Sequence, residues 1–131
     1  MVKKTITYKD YDGETRTEDF YFNLNKAEII RMNYSTEENF AKLMQKMIDE
    51  KNMHELYKLF EKVIQMSYGK KSAGGRNFVK SQEILDDFMS TEAYSELIMW
   101  LVIDADNASN FINGILPEPE ENAENAETKT T

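Results

Sequence analysis

The chain has 131 residues, 40% of them hydrophobic and 31% charged, which is typical of a single globular domain. Its net charge of −8 disfavours nucleic-acid binding, and no stretch approaches the roughly 20 apolar residues needed to cross a bilayer. The absence of cysteine excludes disulfides and thiolate metal sites. Because residues 1–13 contain neither an apolar core nor a small-residue cleavage site, we expect no secretory signal.

Residues 1–22 have the pattern of a β-hairpin. Val2, Ile6 and Tyr8 alternate with polar residues, residues 10–13 (DYDG) form a turn signal, and residues 15–22 supply the returning strand. An isolated two-stranded hairpin is only marginally stable in water. We therefore expect this hairpin to pack on helices or to pair with a strand of another chain.

Residues 23–116 have mainly helical periodicity. Capping residues predict where the helices begin: Asn25, Ser35, Asn52, Ser81, and Ser90 or Thr91. The helix after Ser35 has an apolar stripe made of Phe40, Leu43, Met44, Met47 and Ile48. We expect Gly69 to end the helix that begins after Asn52, and Gly114 to break a last short helix. Residues 69–80 (GKKSAGGRNFVK) read as a loop, with a brief extended piece at residues 78–79.

These elements predict an α+β fold in which an N-terminal hairpin precedes a bundle of about five mostly short helices. We expect one folded domain over residues 1–116, with the hairpin in 1–22 and the helical part in 23–116. Residues 117–131 contain no large apolar residue and carry half of the net negative charge. We expect them to form a disordered acidic tail.

The most unusual segment is residues 97–103 (LIMWLVI), seven consecutive apolar residues. A helix built from this run is apolar on every side, and a small domain rarely buries such a helix alone. One face should pack on the domain, and the opposite face should meet another polypeptide. Methionine suits such adaptable surfaces, and tryptophan is enriched at binding hot spots. The candidate partner-binding residues are Leu97, Ile98, Met99, Trp100, Val102, Ile103, Met44 and Met47.

The sequence contains no recognisable catalytic, cofactor-binding or metal-binding motif. His54 is the single histidine, and its position in the first turn of a helix favours an exposed residue over a catalytic base. The carboxylate pairs at 86–87 and 104–106 are typical of helix caps and solvated faces. A basic patch comprises Lys70, Lys71, Arg76 and Lys80. On an acidic protein, four basic residues make a weak nucleic-acid site, and they fit better at the rim of an interface with an acidic protein partner.

Several segments together resemble the tail assembly chaperones of long-tailed phages and prophages of Gram-positive bacteria. The matching segments are residues 5–8 (TITY), 18–24 (EDFYFNL), 26–28 (KAE), 67–69 (SYG), Ser72, 75–78 (GRNF), 91–97 (TEAYSEL) and 111–117 (FINGILP). The combination of the AYSEL-like helix with the terminal FINGILP is the most specific part. The chain departs from the family pattern at Gly74, where an acidic residue is usual, and in the strongly apolar residues 98–101.

The resemblance implies a non-enzymatic assembly factor without cofactors. Such chaperones coat the helical tape-measure protein, help to recruit tail-tube subunits and leave the finished tail. We accordingly expect the tape-measure protein and the tail-tube protein as partners, together with self-association, and no membrane or nucleic-acid partner. The expected location is the host bacterial cytoplasm, with the protein absent from the mature virion.

Two other functions fit a small helical phage protein. A structural tail-completion or connector subunit would remain in the virion, where a chaperone would be missing. A small DNA-binding regulator would use a helix-turn-helix, but no helix here concentrates the Arg, Lys, Asn and Gln of a recognition helix.

Overall fold

The computed structural model describes residues 1–31, 42, 45, 46, 48, 49 and 53–117. Its elements, in chain order, are β1 (Val2–Lys9), β2 (Thr15–Phe22), α1 (Lys26–Arg31), α2 (Met53–Ser67), β3 (Tyr68–Lys71), β4 (Phe78–Val79), α3 (Gln82–Met89), α4 (Glu92–Ile103) and α5 (Ala105–Ile115). Residues 42, 45, 46, 48 and 49 are also helical. The predicted α+β fold, with N-terminal strands followed by helices, is confirmed.

The N-terminal hairpin forms as predicted. The strands β1 and β2 pair antiparallel from Val2↔Phe22 to Lys9↔Thr15. The Asp10 carboxylate organises the turn because it accepts hydrogen bonds from the amides of Asp12 and Glu14, both at 2.9 Å, and from the Arg16 side chain at 2.8 Å. These contacts, with Arg16 first, lower the pKa of Asp10.

The sheet has four strands in the order β1-β2-β3-β4, so the predicted loop at residues 69–80 is wrong in its first part. Tyr21 of β2 pairs with Gly69 of β3, and Lys71 of β3 pairs with Phe78 of β4. Gly69 lies in a strand and does not cap a helix. A Cβ at Gly69 would lie 2.7 Å from the carbonyl oxygen of Val79, so glycine permits this close approach of β3 and β4.

The core lies between one face of the sheet and the helices. Phe22 is fully buried at the centre of this core. The centroid of its ring lies 5.2 Å from that of Phe111, 5.5 Å from that of Tyr68 and 5.9 Å from that of Phe88. Aromatic side chains of β2, β3, α3 and α5 thus meet in one cluster, which buries the inward side of the hairpin. The hairpin is therefore stabilised by packing on helices of its own chain, which is one of the two arrangements expected from the sequence.

Capping geometry confirms two of the predicted helix starts. At α1 the amide of Glu28 donates to the Asn25 side chain at 2.8 Å, and the amide of Asn25 donates to the Glu28 carboxylate at 2.9 Å. At α3 the Ser81 hydroxyl accepts from the amide of Ile84 at 3.1 Å. Thr91 stands at the N-cap of α4, but its hydroxyl donates backwards to the Phe88 carbonyl at 2.7 Å and caps nothing in α4.

The last two helices join at Asp104, which ends α4 and caps α5 by accepting from the amide of Asp106 at 2.8 Å. Gly114 was expected to break the final helix, yet α5 runs through it to Ile115. A Cβ at Gly114 would lie 2.5 Å from a methyl group of Val2, so this glycine allows strand β1 to contact the helix.

Some predictions concern residues outside the described part of the chain. They are the cap at Ser35, the cap at Asn52, the stripe residues Phe40, Leu43, Met44 and Met47, and the tail beyond Pro117. Of that stripe, Ile48 is described, and its side chain is buried. No described helix is long and apolar enough to span a membrane.

Candidate partner-binding surface

Helix α4 has two apolar sides with different surroundings. Its inner side holds Leu97 and Leu101, with exposed fractions of 0% and 1%, and Ile98 is also buried. Helix α4 packs against β1, α2, α3 and α5. Leu97 and Ile98, two of the predicted binding residues, therefore lie in the domain core.

The outer side of α4 remains apolar and exposed. Met99 is 56% exposed and Ile103 is 69% exposed. Because they are four residues apart, their side chains form one row along the helix. Trp100 and Val102, both half-buried, flank this row on its two sides. We call these four residues the α4 ridge.

Two contacts hold the indole of Trp100 in place, and a hydrogen bond fixes its backbone carbonyl. Its ring meets Phe111 edge-on at a centroid distance of 6.5 Å, and the ammonium of Lys4 lies 3.7 Å above its ring. Burial lowers the pKa of Lys4. The carbonyl of Trp100 accepts from the Asn107 side chain at 2.9 Å. Trp100 thus supports the ridge more than it projects from it.

An apolar cleft of about 330 Å³ begins beside the ridge, and we call it the α4 cleft. Val102 and Ile103 form part of its wall. The cleft lining comprises Ile48, Leu56, Phe60, Leu101, Val102, Ile103, Asp104, Ala105 and Ala108. Ridge and cleft together form a continuous apolar surface at the junction of α2, α4 and α5.

The structure brings together only part of the predicted site. Met99, Trp100, Val102 and Ile103 share the ridge, whereas Met44 and Met47 lie outside the described residues. Sequence reasoning missed the cleft residues Leu56, Phe60, Ala105 and Ala108. Leu56 and Phe60 belong to an apolar stripe that the sequence does reveal, but nothing in that stripe distinguishes a cleft wall from ordinary core.

Acidic and basic residues are separated along the sequence, and the ridge lies in the acidic segment. Residues 81–117 include seven acidic residues and no lysine or arginine, whereas residues 1–80 have a net charge of +3. Helices α3, α4 and α5 all lie in the acidic segment. Apart from Lys4 over the Trp100 ring, the charged residues that these helices place around the ridge are acidic.

The predicted basic patch is smaller than expected because Lys80 turns inward. Its ammonium donates to Glu28 and to the Asn23 carbonyl, both at 2.6 Å, and to the Met66 carbonyl at 2.8 Å. Burial lowers the pKa of Lys80, and the hydrogen bond to Glu28 opposes this shift. Lys80 ties α1 and α2 to the sheet and does not belong to a rim for a partner.

His54 and the carboxylates singled out in the sequence lie at exposed positions or serve as hydrogen-bond acceptors on helices. The His54 side chain is exposed. Asp104 caps α5, and Asp86 accepts from the Gln82 side chain at 2.7 Å. Among the described residues, no group of three or more His, Cys, Asp or Glu side chains is arranged to hold a metal ion.

Comparison with known proteins gives one assignment. No curated protein and no solved structure matches the chain. The family model described as phage tail assembly chaperone matches residues 1–130. Because this match spans nearly the whole chain, the protein belongs to the phage tail assembly chaperone family.

Proposed function

We propose that this protein binds the tape-measure protein during phage tail morphogenesis and helps to recruit tail-tube subunits to it. It acts without enzymatic activity in the host cytoplasm and is absent from the mature virion. Family membership supports a role in tail assembly. The observation that carries the proposal is the exposed apolar row of Met99 and Ile103 beside the α4 cleft.

Leaving the apolar side chains of this surface in water costs free energy. Full burial of a Met or Ile side chain gains about 1.5–3 kcal/mol relative to exposure. Met99 and Ile103 are each more than half exposed, although the same helix buries Leu97 and Leu101. A long helical partner offers apolar stripes of the kind that bind to such a ridge and cleft. Many copies along one rod would multiply a modest single contact.

The test is the double substitution Met99→Ser/Ile103→Ser in the full chain, co-expressed with the tape-measure protein of the same phage. Both side chains point away from the core, so we expect unchanged helix content by circular dichroism. The substitutions remove the apolar contact of two side chains, and a loss of about 1.4 kcal/mol in binding free energy weakens binding tenfold. Co-purification of the tape-measure protein should therefore fall at least about tenfold.

The matched control is Ile30→Ser. Ile30 is 66% exposed in α1, so it is the same residue type as Ile103 with nearly the same exposure, on an element that does not contribute to the ridge. Unchanged co-purification with the ridge variant, or an equal loss with the control, would contradict this assignment of the binding surface.

Mass spectrometry of purified phage particles tests the second part of the proposal. A chaperone that leaves the tail should be missing from the particles, and a stoichiometric amount in them would indicate a structural tail subunit.

A further inference from the structure

We propose that the α4 ridge and cleft select a helix whose apolar stripe is flanked by lysine or arginine residues. The inference rests on the proposed function and adds the chemistry of the partner segment. It follows from where the carboxylates lie relative to the exposed apolar side chains.

Carboxylates continue the exposed row of α4 beyond its apolar part. Glu92, Glu96, Met99 and Ile103 follow each other at spacings of four, three and four residues, so all four lie on one side of the helix. All four are exposed. A helix lying along α4 would therefore place its apolar stripe on Met99 and Ile103 and its next turn beside Glu96.

Carboxylates also stand at the other end of the ridge. Asp104 follows Ile103 directly, and Asp106 lies in the first turn of α5. Both are exposed, and Asp104 is the charged residue among the described residues that line the cleft. Glu96 and Asp104 are eight residues apart, or about 12 Å at 1.5 Å per residue. Two basic groups about two turns apart on a partner helix match this spacing.

The helices that carry the ridge supply carboxylates and no cation, and the described basic residues belong to other parts of the chain. The three helices α3, α4 and α5 contain no lysine or arginine. On α2, Lys58 and Lys62 each follow a cleft residue by two positions, which places them on roughly the opposite side of the helix from Leu56 and Phe60. Lys4 is engaged by the ring of Trp100.

This electrostatic pattern favours one class of occupant. An acidic frame repels nucleic acid and anionic membranes, and it attracts a basic amphipathic helix. Each exposed ion pair contributes only about 0.2–1 kcal/mol, so the frame sets selectivity and association rate while the apolar contact supplies affinity.

The test uses two synthetic helical peptides of about 20 residues with one identical leucine stripe. One peptide carries lysine and the other glutamate at the flanking positions. We expect the full chain to bind the lysine-flanked peptide about tenfold more tightly at about 50 mM salt, measured by fluorescence anisotropy of labelled peptide. The difference should shrink at about 0.5 M salt, because salt screens exposed charges.

A charge-reversal variant sharpens the test. Glu96→Lys/Asp106→Lys should remove or reverse the preference for the lysine-flanked peptide. The control Glu14→Lys/Glu83→Lys makes the same change in net charge at exposed positions off the ridge and should retain the preference. Circular dichroism should show the same helix content for both variants.

The outcomes separate this inference from the proposed function. Equal binding of the two peptides, abolished by Met99→Ser/Ile103→Ser, overturns the charge selectivity and leaves the apolar docking surface standing. Binding that survives Met99→Ser/Ile103→Ser, or no binding of either peptide, overturns the docking surface itself and the inference with it. A preference that both charge variants lose equally shows an effect of net charge alone and also overturns the inference.

Discussion

The outer face of the sheet and the outer side of α4 are both exposed, but they differ in how their side chains are satisfied. On the sheet, the Thr5 hydroxyl donates to Asp19 at 2.6 Å, and the hydroxyls of Thr7 and Thr17 lie 2.9 Å apart. These cross-strand pairs follow directly from the hairpin register. On α4, Met99 and Ile103 are more than half exposed, and neither side chain has a hydroxyl or carboxylate to form such a pair.

The difference shows that one small domain can have one surface that is stable in water and another that gains free energy when a partner covers it. Polar side chains that pair with each other lose little in water and gain little from a partner. Exposed apolar side chains gain free energy only when something covers them. The outer sheet face therefore behaves as ordinary protein surface, and the α4 ridge is the surface on which binding should depend.

The largest expected effect concerns Lys80, whose ammonium donates to Glu28 and to the carbonyls of Asn23 and Met66. The variant Lys80→Met should lower the free energy of unfolding by about 2 kcal/mol, since hydrogen bonds to charged groups contribute about 1.5–3 kcal/mol. Guanidinium unfolding measures this loss. The control Lys71→Met removes an exposed ammonium 4.6 Å from the Tyr21 ring and should cost under about 1 kcal/mol. An equal loss of unfolding free energy in both variants would show that the hydrogen bonds of Lys80 do not stabilise the fold specifically.

An intermediate effect concerns Tyr8, whose hydroxyl donates to Glu18 on the neighbouring strand. This hydrogen bond, with burial, raises the pKa of Tyr8 to about 12. The native state therefore keeps a proton that the unfolded chain loses above about pH 10, so this stabilisation is complete below pH 10 and disappears towards pH 12.

The variant Tyr8→Phe tests this pH dependence. It should cost about 1 kcal/mol at pH 8, and the difference from the unmodified protein should shrink as the pH rises from 10 towards 12. Guanidinium unfolding at several pH values gives the difference directly. A difference that stays constant across this range would contradict the assignment of the pKa shift to the native state.

The smallest effect on stability separates the two surfaces most directly. Thr7→Val on the outer sheet face should change the free energy of unfolding by less than about 0.5 kcal/mol and leave co-purification of the tape-measure protein intact. The ridge variant Met99→Ser/Ile103→Ser should also change stability little, but should lose the partner. Loss of the partner with Thr7→Val would mean that the outer sheet face takes part in binding.

Local signals predicted the parts of the fold that depend on near neighbours in sequence. The hairpin and the caps at Asn25 and Ser81 each rest on residues within a few positions of each other. Strand β3 was missed because residues 68–71 (YGKK) lack alternation and follow a helix directly. Its pairing is decided by β2, almost fifty residues away. The roles of Gly69 and Gly114 were misread for the same reason, since each glycine accommodates a distant segment.

The sequence alone determined that residues 97–103 form a helix with more apolar surface than a small domain buries, and that residues 81–117 carry only negative charge. It could not say which side of that helix faces outward, because a uniformly apolar run has no periodic pattern to orient it. Tertiary packing decided this: it buries Leu97 and Leu101 in the core and leaves Met99 and Ile103 more than half exposed. Packing also formed the α4 cleft, since its walls come from segments that only the folded chain brings together.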